Sequence, residues 1–407
     1  MIHTTLKICC IVCGVALLTG ADWRQFRGTD STSVAVNEAL PTSFSETENI
    51  AWKSKLPGRG LSGPIVIGDR VYVTASSGHF QDRLHVLAFD ASNGKQVWER
   101  QFWATGRTMC HDKMAVATPQ PASDGQRIFA FYSSNDLACL DLDGNLLWFR
   151  GLTHDYPNAS NSLGMSSSPV VIGDTVIVQV ESDSESFAAG LDVVTGVQRW
   201  KIDRPKMSNW TSPGVFSGKT RAEDLVVLQS GTGLAAHDPH TGQAAWTFDG
   251  GASTIPSTGI EGEYLLVPSN GVTALKVDAT SKNPQKLWNV NDSKLSPGTS
   301  SPVVLAGKVY TVNKAGVLNC LAVADGKTLW QLRINGKGGL AATPVVAGGN
   351  MYLFNEEGGA TVVKLGGTEG EIVGGGELGE SILGTPAIAN GGLFVRSHGH
   401  LWKIAKK

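Results

Sequence analysis

Ser301-Pro302-Val303-Val304-Leu305-Ala306-Gly307-Lys308-Val309-Tyr310 and Thr343-Pro344-Val345-Val346-Ala347-Gly348-Gly349-Asn350-Met351-Tyr352 are nearly one decapeptide written twice, with Pro302 and Pro344 42 positions apart. Prolines fall in this register at Pro64, Pro121, Pro169, Pro213, Pro256, Pro302, Pro344 and Pro386, and five of the eight follow Ser or Thr. Each opens a short β-branched run, where a missing N–H is tolerated because it lies at a strand's first residue. Repetition at this period takes precedence over any division of the chain into ordinary domains.

Working outward, each unit continues into a glycine turn, as at Gly68-Asp69, Asp124-Gly125, Gly173-Asp174 and Gly391-Gly392, and then into a second apolar strand. That is a hairpin signature. A third strand ends at Asn93-Gly94, Asp143-Gly144, Thr195-Gly196, Thr241-Gly242 or Asp325-Gly326, and four residues beyond each glycine stands Trp98, Trp148, Trp200, Trp246 or Trp330. Trp288 takes the same register after Pro284, while the last full unit has Gly374 there. Four short strands per unit predict an all-β, eight-bladed β-propeller of four-stranded antiparallel blades. One bulky ring per blade reads as packing between blades, so Trp52, Trp98, Trp148, Trp200, Trp246, Trp288 and Trp330 are expected to be structural.

The unit beginning at Pro386 is too short for four strands, and Asn49-Ile50-Ala51-Trp52-Lys53-Ser54-Lys55 stands alone before the first proline. The N-terminal strand around Trp52 is therefore expected to complete the last blade and close the ring, removing its open edges. Residues 1–21 read as a signal peptide: Lys7 is the basic region, Ile8 to Leu18 the apolar region, and Thr19-Gly20-Ala21 the cleavage site. That apolar stretch is short of the roughly 20 residues a membrane-spanning helix needs, and no other segment qualifies. Residues 22–407 are left as a single propeller, with 22–56 as N-terminal segment and closing strand and 57–407 as blade repeats. Export places the protein in the periplasm or outside the cell.

A net charge of −2, without a basic run, gives no field that would favour nucleic acid. Three cysteines sit in the leader, where their surroundings fit a lipoprotein acylation box poorly; Cys110, Cys139 and Cys320 remain, without CxxC spacing. Cys139 and Cys320 hold matching places in two repeats and read as small buried hydrophobes. No P-loop, His-Glu-x-x-His or strand-embedded Gly-x-Ser-x-Gly is present, and no catalytic nucleophile is evident. No metal site is assigned.

The cassette Leu191-Asp192-Val193-Val194-Thr195-Gly196-Val197-Gln198-Arg199-Trp200, with Ser/Thr-Pro and Gly-Asp elsewhere in the unit, resembles the PQQ-like repeat. Quinoprotein alcohol dehydrogenases and the BamB-type outer-membrane assembly factors share this repeat, and the resemblance runs over residues 50 to 407. For a quinoprotein it implies pyrroloquinoline quinone, a calcium site of acidic and amide side chains, a catalytic Asp and often a disulfide between adjacent cysteines. The adjacent pair here, Cys9-Cys10, lies in the leader. The reading adopted is an exported, non-catalytic scaffold without a cofactor, monomeric, binding a protein, peptide or small polar ligand in a BamB-like setting. The alternative is a quinone-dependent oxidoreductase using PQQ with calcium.

Function is sought where the repeats break, since scaffold elements recur and binding surfaces do not. Two connections on one face are enlarged, Gln101 to Pro121 and Gly151 to Ser168, and Pro205 to Trp210 adds a third. They supply the candidate ligand-binding rim: Arg59, His111, Lys113, His154, Asp155, Tyr156, Asn161, Asn209 and Trp210. His111, His154 and Asp155 have metal-ligand chemistry but no spacing that selects a geometry.

Overall fold

The computed structural model describes residues 22–160, 163–277, 283–334 and 336–406. The reading of residues 1–21 as a signal peptide lies outside the described residues. These fold into eight sheets arranged as successive blades, each blade antiparallel in the order inner strand to outer strand. Blade one is Ile65–Ile67, Arg70–Ser77, Arg83–Asp90 and Gln96–Trp103. Blades two to seven repeat the plan, ending with Val345–Ala347, Asn350–Phe354, Gly359–Leu365 and Gly370–Glu377.

Blade eight has three strands of its own, Ala387–Ala389, Gly392–Arg396 and His400–Ile404, and its outer strand is Ile50–Lys55. Lys53 pairs with Trp402 and Lys55 with His400, so the ring closes through Trp52 as the repeat arithmetic requires.

The register tryptophans act between blades. Trp52 donates its indole N–H to Ala91 O at 3.1 Å, Trp98 to Leu142 O at 3.0 Å, Trp148 to Val193 O at 3.1 Å, and Trp200 to Pro239 O at 2.8 Å. Each acceptor belongs to the turn before the outer strand of the following blade. The ring covers the turn glycine: a Cβ on Gly242 would stand 2.7 Å from Trp200, and its φ of +71° favours glycine anyway. Cys139 and Cys320 are fully buried opposite Trp148 and Trp330. Burial pushes their thiols up to about 12 and about 11, which leaves them inert.

Pro256 departs from the register of the other seven prolines. The inner strand of blade five is Gly259–Glu261, so Thr258 stands where Pro302 stands in blade six, and Pro256 lies two residues early.

The N-terminal segment does more than close the ring. Val34–Ala35 adds a parallel strand to the inner edge of blade seven, and Ser43–Phe44 adds another to its outer edge. Buried Phe44 packs 6.1 Å from Phe354, over the run Gly374-Gly375-Gly376. A Cβ on Gly376 would approach the Phe44 ring to 2.4 Å, and one on Gly374 would approach Thr42 O to 2.2 Å. Blade seven therefore lacks its tryptophan because the N-terminal segment occupies that space.

Candidate functional site

Residues 22–35 cross the central channel and touch one inner strand after another. Trp23 pairs with Val66 of blade one, Arg24 O accepts from Ser123 N of blade two at 2.8 Å, and Gln25 Oε1 accepts from Val171 N of blade three at 2.9 Å. Ser31 accepts from blade four, Arg27 Nη1 donates to Thr258 O of blade five at 2.8 Å, and Ser33 O accepts from Val346 N of blade seven at 2.9 Å. Asp22 and Arg24 also bond to Gly68 N and Asp124 O. These sit in the turns that leave the inner strands, so the stopper lies at the turn end of the channel. Arg27 is fully buried without a carboxylate partner among the described residues, and burial pulls its guanidinium down to about 10.

At the opposite end the inner strands begin, and there the Ser/Thr-Pro cassette finds its reason. Gln120 N donates to Ser168 Oγ at 3.0 Å, Ser168 N to Ser212 Oγ at 2.9 Å, and Ser212 N to Ser257 Oγ at 2.9 Å. Ser257 N donates to Ser301 Oγ at 3.0 Å, Ser301 N to Thr343 Oγ1 at 3.2 Å, and Thr343 N to Thr385 Oγ1 at 3.1 Å. This hydroxyl ring satisfies buried N–H groups from blade two round to blade seven, the last through Thr385 of blade eight. The seam from blade eight to blade one is bridged by buried Arg396, whose Nη1 donates to Ser62 Oγ and Thr74 O, both at 2.9 Å. Gln179 makes the matching bond from blade three to blade four, donating to Gln229 O at 2.7 Å.

Between ring and stopper lies a blind funnel of about 390 Å³, with Phe26 at its base and the ring hydroxyls on its wall. Leu61, Met114, Leu163, Trp210, Ile255 and Leu383 line it as well, and His111, Lys113 and Glu356 complete the lining. Lys113 Nζ is 3.4 Å from Glu356 Oε2, across the mouth from blade two's approach loop to blade seven.

The nine rim candidates do not form one site. His111, Lys113 and Trp210 line the funnel, and Trp210 is fixed by its indole N–H bond to Gly164 O at 2.9 Å. Arg59 is not among the lining residues; it pairs with Ser76 and donates to Asp112 O. Asn209 is not a rim residue: it is buried, donating to Glu181 Oε2 at 2.9 Å and Gln229 O at 2.7 Å. Its role is to satisfy a buried carboxylate that Arg204 also holds at 2.8 Å. Tyr156 packs 4.3 Å from Phe187 and donates to Gln198 Oε1 at 2.6 Å, while His154 and Asp155 are exposed on the short helix Leu152–Asp155, with Asp155 paired to Arg150. None of these three lines the funnel. Asn161 lies outside the described residues. Sequence reading missed the ring hydroxyls and Phe26; the recurrence of Ser or Thr before proline was the available signal.

Among the described residues no group of three His, Cys, Asp or Glu side chains could hold a metal ion, and no helix is long and apolar enough to cross a membrane.

Comparison with known proteins extends this picture. A protein named outer membrane protein assembly factor BamB, from Burkholderia pseudomallei (strain K96243), is 23% identical over 350 residues, covering 84% of this chain and 73% of that protein. Against further relatives of that name the chain spans about half their length. The crystal structure of BamB from Moraxella catarrhalis superposes with a TM-score of 0.62 at 17% identity, covering 88% of this chain and 97% of that one. A europium-containing methanol dehydrogenase superposes at 0.67 with 14% identity, covering 93% and 90%. At such identities the superpositions speak for the fold alone. The profile of the family described as outer membrane protein assembly factor BamB matches in overlapping stretches, 26–213, 103–254, 188–342, 275–373 and 314–407. From the stopper to the last strand, this chain belongs to the BamB-type family of PQQ-like repeat propellers.

Proposed function

We propose that the protein is an exported scaffold of the cell envelope that binds a protein partner at the funnel mouth, gripping an exposed segment of that partner between Trp210, His111 and Lys113. The observation that carries this reading is the stopper. With residues 22–35 across the far end, the channel is a socket rather than a passage, and what enters must be held by the mouth. Its apolar collar above a ring of hydroxyls suits an extended segment that offers both side chains and backbone carbonyls. Relatives named for outer membrane protein assembly support a protein partner, and the leader-like residues 1–21 support export.

The lining fits a calcium-held quinone poorly. Glu356 is the one carboxylate among the lining residues, and Lys113 already sits beside it. We therefore propose a scaffold that works without that cofactor; titration with PQQ and calcium is expected to leave no retained chromophore, and a stoichiometric one would reverse this.

The binding reading is tested with a photo-crosslinking residue at position 113, and at position 240 on the opposite face as control. Position 113 is expected to capture one reproducible envelope protein, and Trp210→Ala to weaken that capture about tenfold or more, as loss of an aromatic anchor does. Equal capture from both positions, or capture indifferent to Trp210, overturns it.

A further inference from the structure

Blade one is taller than its neighbour. Its second, third and fourth strands are 8 residues each, whereas Gly392–Arg396 and His400–Ile404 of blade eight have 5. At roughly 3.3 Å per residue the difference is about 10 Å of sheet. Along the face turned to blade eight, strand pairing sets three rows: Ser77, Arg83 and Trp103 uppermost, Ala75, His85 and Gln101 next, Val73, Leu87 and Glu99 below. Val73 and Leu87 are buried against Phe394 and Trp402 of blade eight, while Trp103 at the top is 61% exposed.

His85 joins these rows diagonally. Ser77 Oγ lies 2.7 Å from His85 Nε2, and His85 Nδ1 lies 2.6 Å from Glu99 Oε1. Burial pushes the Glu99 carboxyl up, but the bonds from His85, Gln101 and Gln96 outweigh it and hold it below the usual carboxylate range. An ionised Glu99 accepts the hydrogen bond from Nδ1–H and leaves Nε2 as the acceptor facing the Ser77 hydroxyl. Beside Ser77 in the top row, the Arg83 guanidinium stacks 3.9 Å from the Trp103 ring centroid and donates to Gln101 Oε1 at 3.0 Å, with its Nε unpartnered. None of the four side chains lines the funnel.

We propose that Ser77, His85 and Glu99 form a nucleophile, base and positioning residue for acyl transfer on the exposed shelf of blade one, with small carboxylic esters of apolar character as substrates. Ser77 Oγ attacks the ester carbonyl carbon as its proton passes to His85 Nε2. The carbonyl oxygen becomes anionic beside Arg83. The bond to the alkoxy group breaks, the alcohol leaves with the proton from His85, and an acyl group remains on Ser77. Water then attacks that acyl group, again giving its proton to His85, which returns it to Ser77 as the carboxylic acid departs. Trp103 and Phe80, 68% exposed on the adjoining hairpin, offer the apolar side of the substrate a surface.

The test uses the full chain. A fluorophosphonate probe, followed by peptide mapping, is expected to modify Ser77 roughly 100-fold faster than the exposed Ser92, whose hydroxyl bonds the Asp90 carboxylate and has no imidazole beside it. Hydrolysis of p-nitrophenyl butyrate is expected to disappear in Ser77→Ala with an unchanged circular dichroism melt. Glu99→Gln should slow both labelling and hydrolysis by roughly tenfold or more, because an amide does not hold the imidazole as the carboxylate does. If Ser77 in the folded wild-type protein reacts no faster than Ser92, or Ser77→Ala keeps its ester hydrolysis, the chain merely staples three strands and the proposal fails.

Discussion

Arg199 sits in the very cassette that carries the family resemblance, and its guanidinium ties two turns of blade three, one of which a histidine of blade four also reaches. Nη1 and Nη2 reach Asp174 at 2.7 Å, Nη2 reaches Asp192 at 2.6 Å, and Asp174 in turn accepts from His240 of blade four at 2.7 Å. The Arg199 bond, with the turn N–H groups of Thr195 and Val194, draws the Asp192 carboxyl down to about 2, and Asp174 is drawn below the usual range by Arg199 and then His240. Carboxyls held below their unfolded values, near 3.9, stabilise the fold above that pH and lose the contribution as pH falls towards 2. Asp174 is half exposed, so solvent screens the network, and Arg199→Gln is expected to cost only about 0.5–1 kcal/mol at pH 7. Melting of the two proteins from pH 7 to pH 2 should show the gap shrinking below about pH 4. A gap that widens on acidification would contradict the assignment. At this scale the sequence is unevenly legible. The tryptophans are legible because their spacing from the turn recurs, and five of the seven, all but Trp246 and Trp330, bond the next blade's turn in the same way. Asn209 is not, because a polar residue in a loop looks solvated until Glu181 and Gln229 are seen beneath it.

Strands tell a similar story in the outer edge of blade seven. Gly374-Gly375-Gly376 looked like a missing tryptophan, when it is a groove cut to fit Thr42, Ser43 and Phe44. The blade pattern was legible because a period of about forty residues with fixed turns admits few other architectures. The added parallel strands were not, since Val34–Ala35 and Ser43–Phe44 are two residues each and carry no alternation to read. Gly374→Trp restores the repeat's own residue and is expected to expel the overlying segment. Limited proteolysis would then cut within residues 39–48, sites protected in the parent, while the melting temperature falls. Unchanged protection of that segment would show that the groove accommodates a side chain.

For the molecule as a whole, one segment performs two tasks that can be separated. Residues 22–35 stopper the channel and residues 50–55 complete blade eight. Removing residues 22–35 is expected to preserve a cooperative melt at lowered temperature and to open the funnel at its base. Removing residues 22–56 should abolish cooperative melting, because it leaves both Trp402 and the inter-blade acceptor Ala91 without Trp52 and its strand. A cooperative transition at the parent temperature in the longer deletion would refute this. Ring closure was readable from a shortage of strands at one end and a spare strand at the other. The stopper was not, because it meets the blades through unlike groups, here a backbone carbonyl, there a guanidinium, and so leaves no period behind.

That closing strand also sets a clock. Lys53 leaves the ribosome early but has no partner until Trp402 arrives. Throughout that interval seven blades can stack as an open arc, while the first outer strand and the stopper wait with their hydrogen-bonding edges exposed. The meeting of the chain's two ends closes the longest loop of any strand pairing among the described residues and is thus expected to come last, so the beginning must stay unentangled until the end has been made.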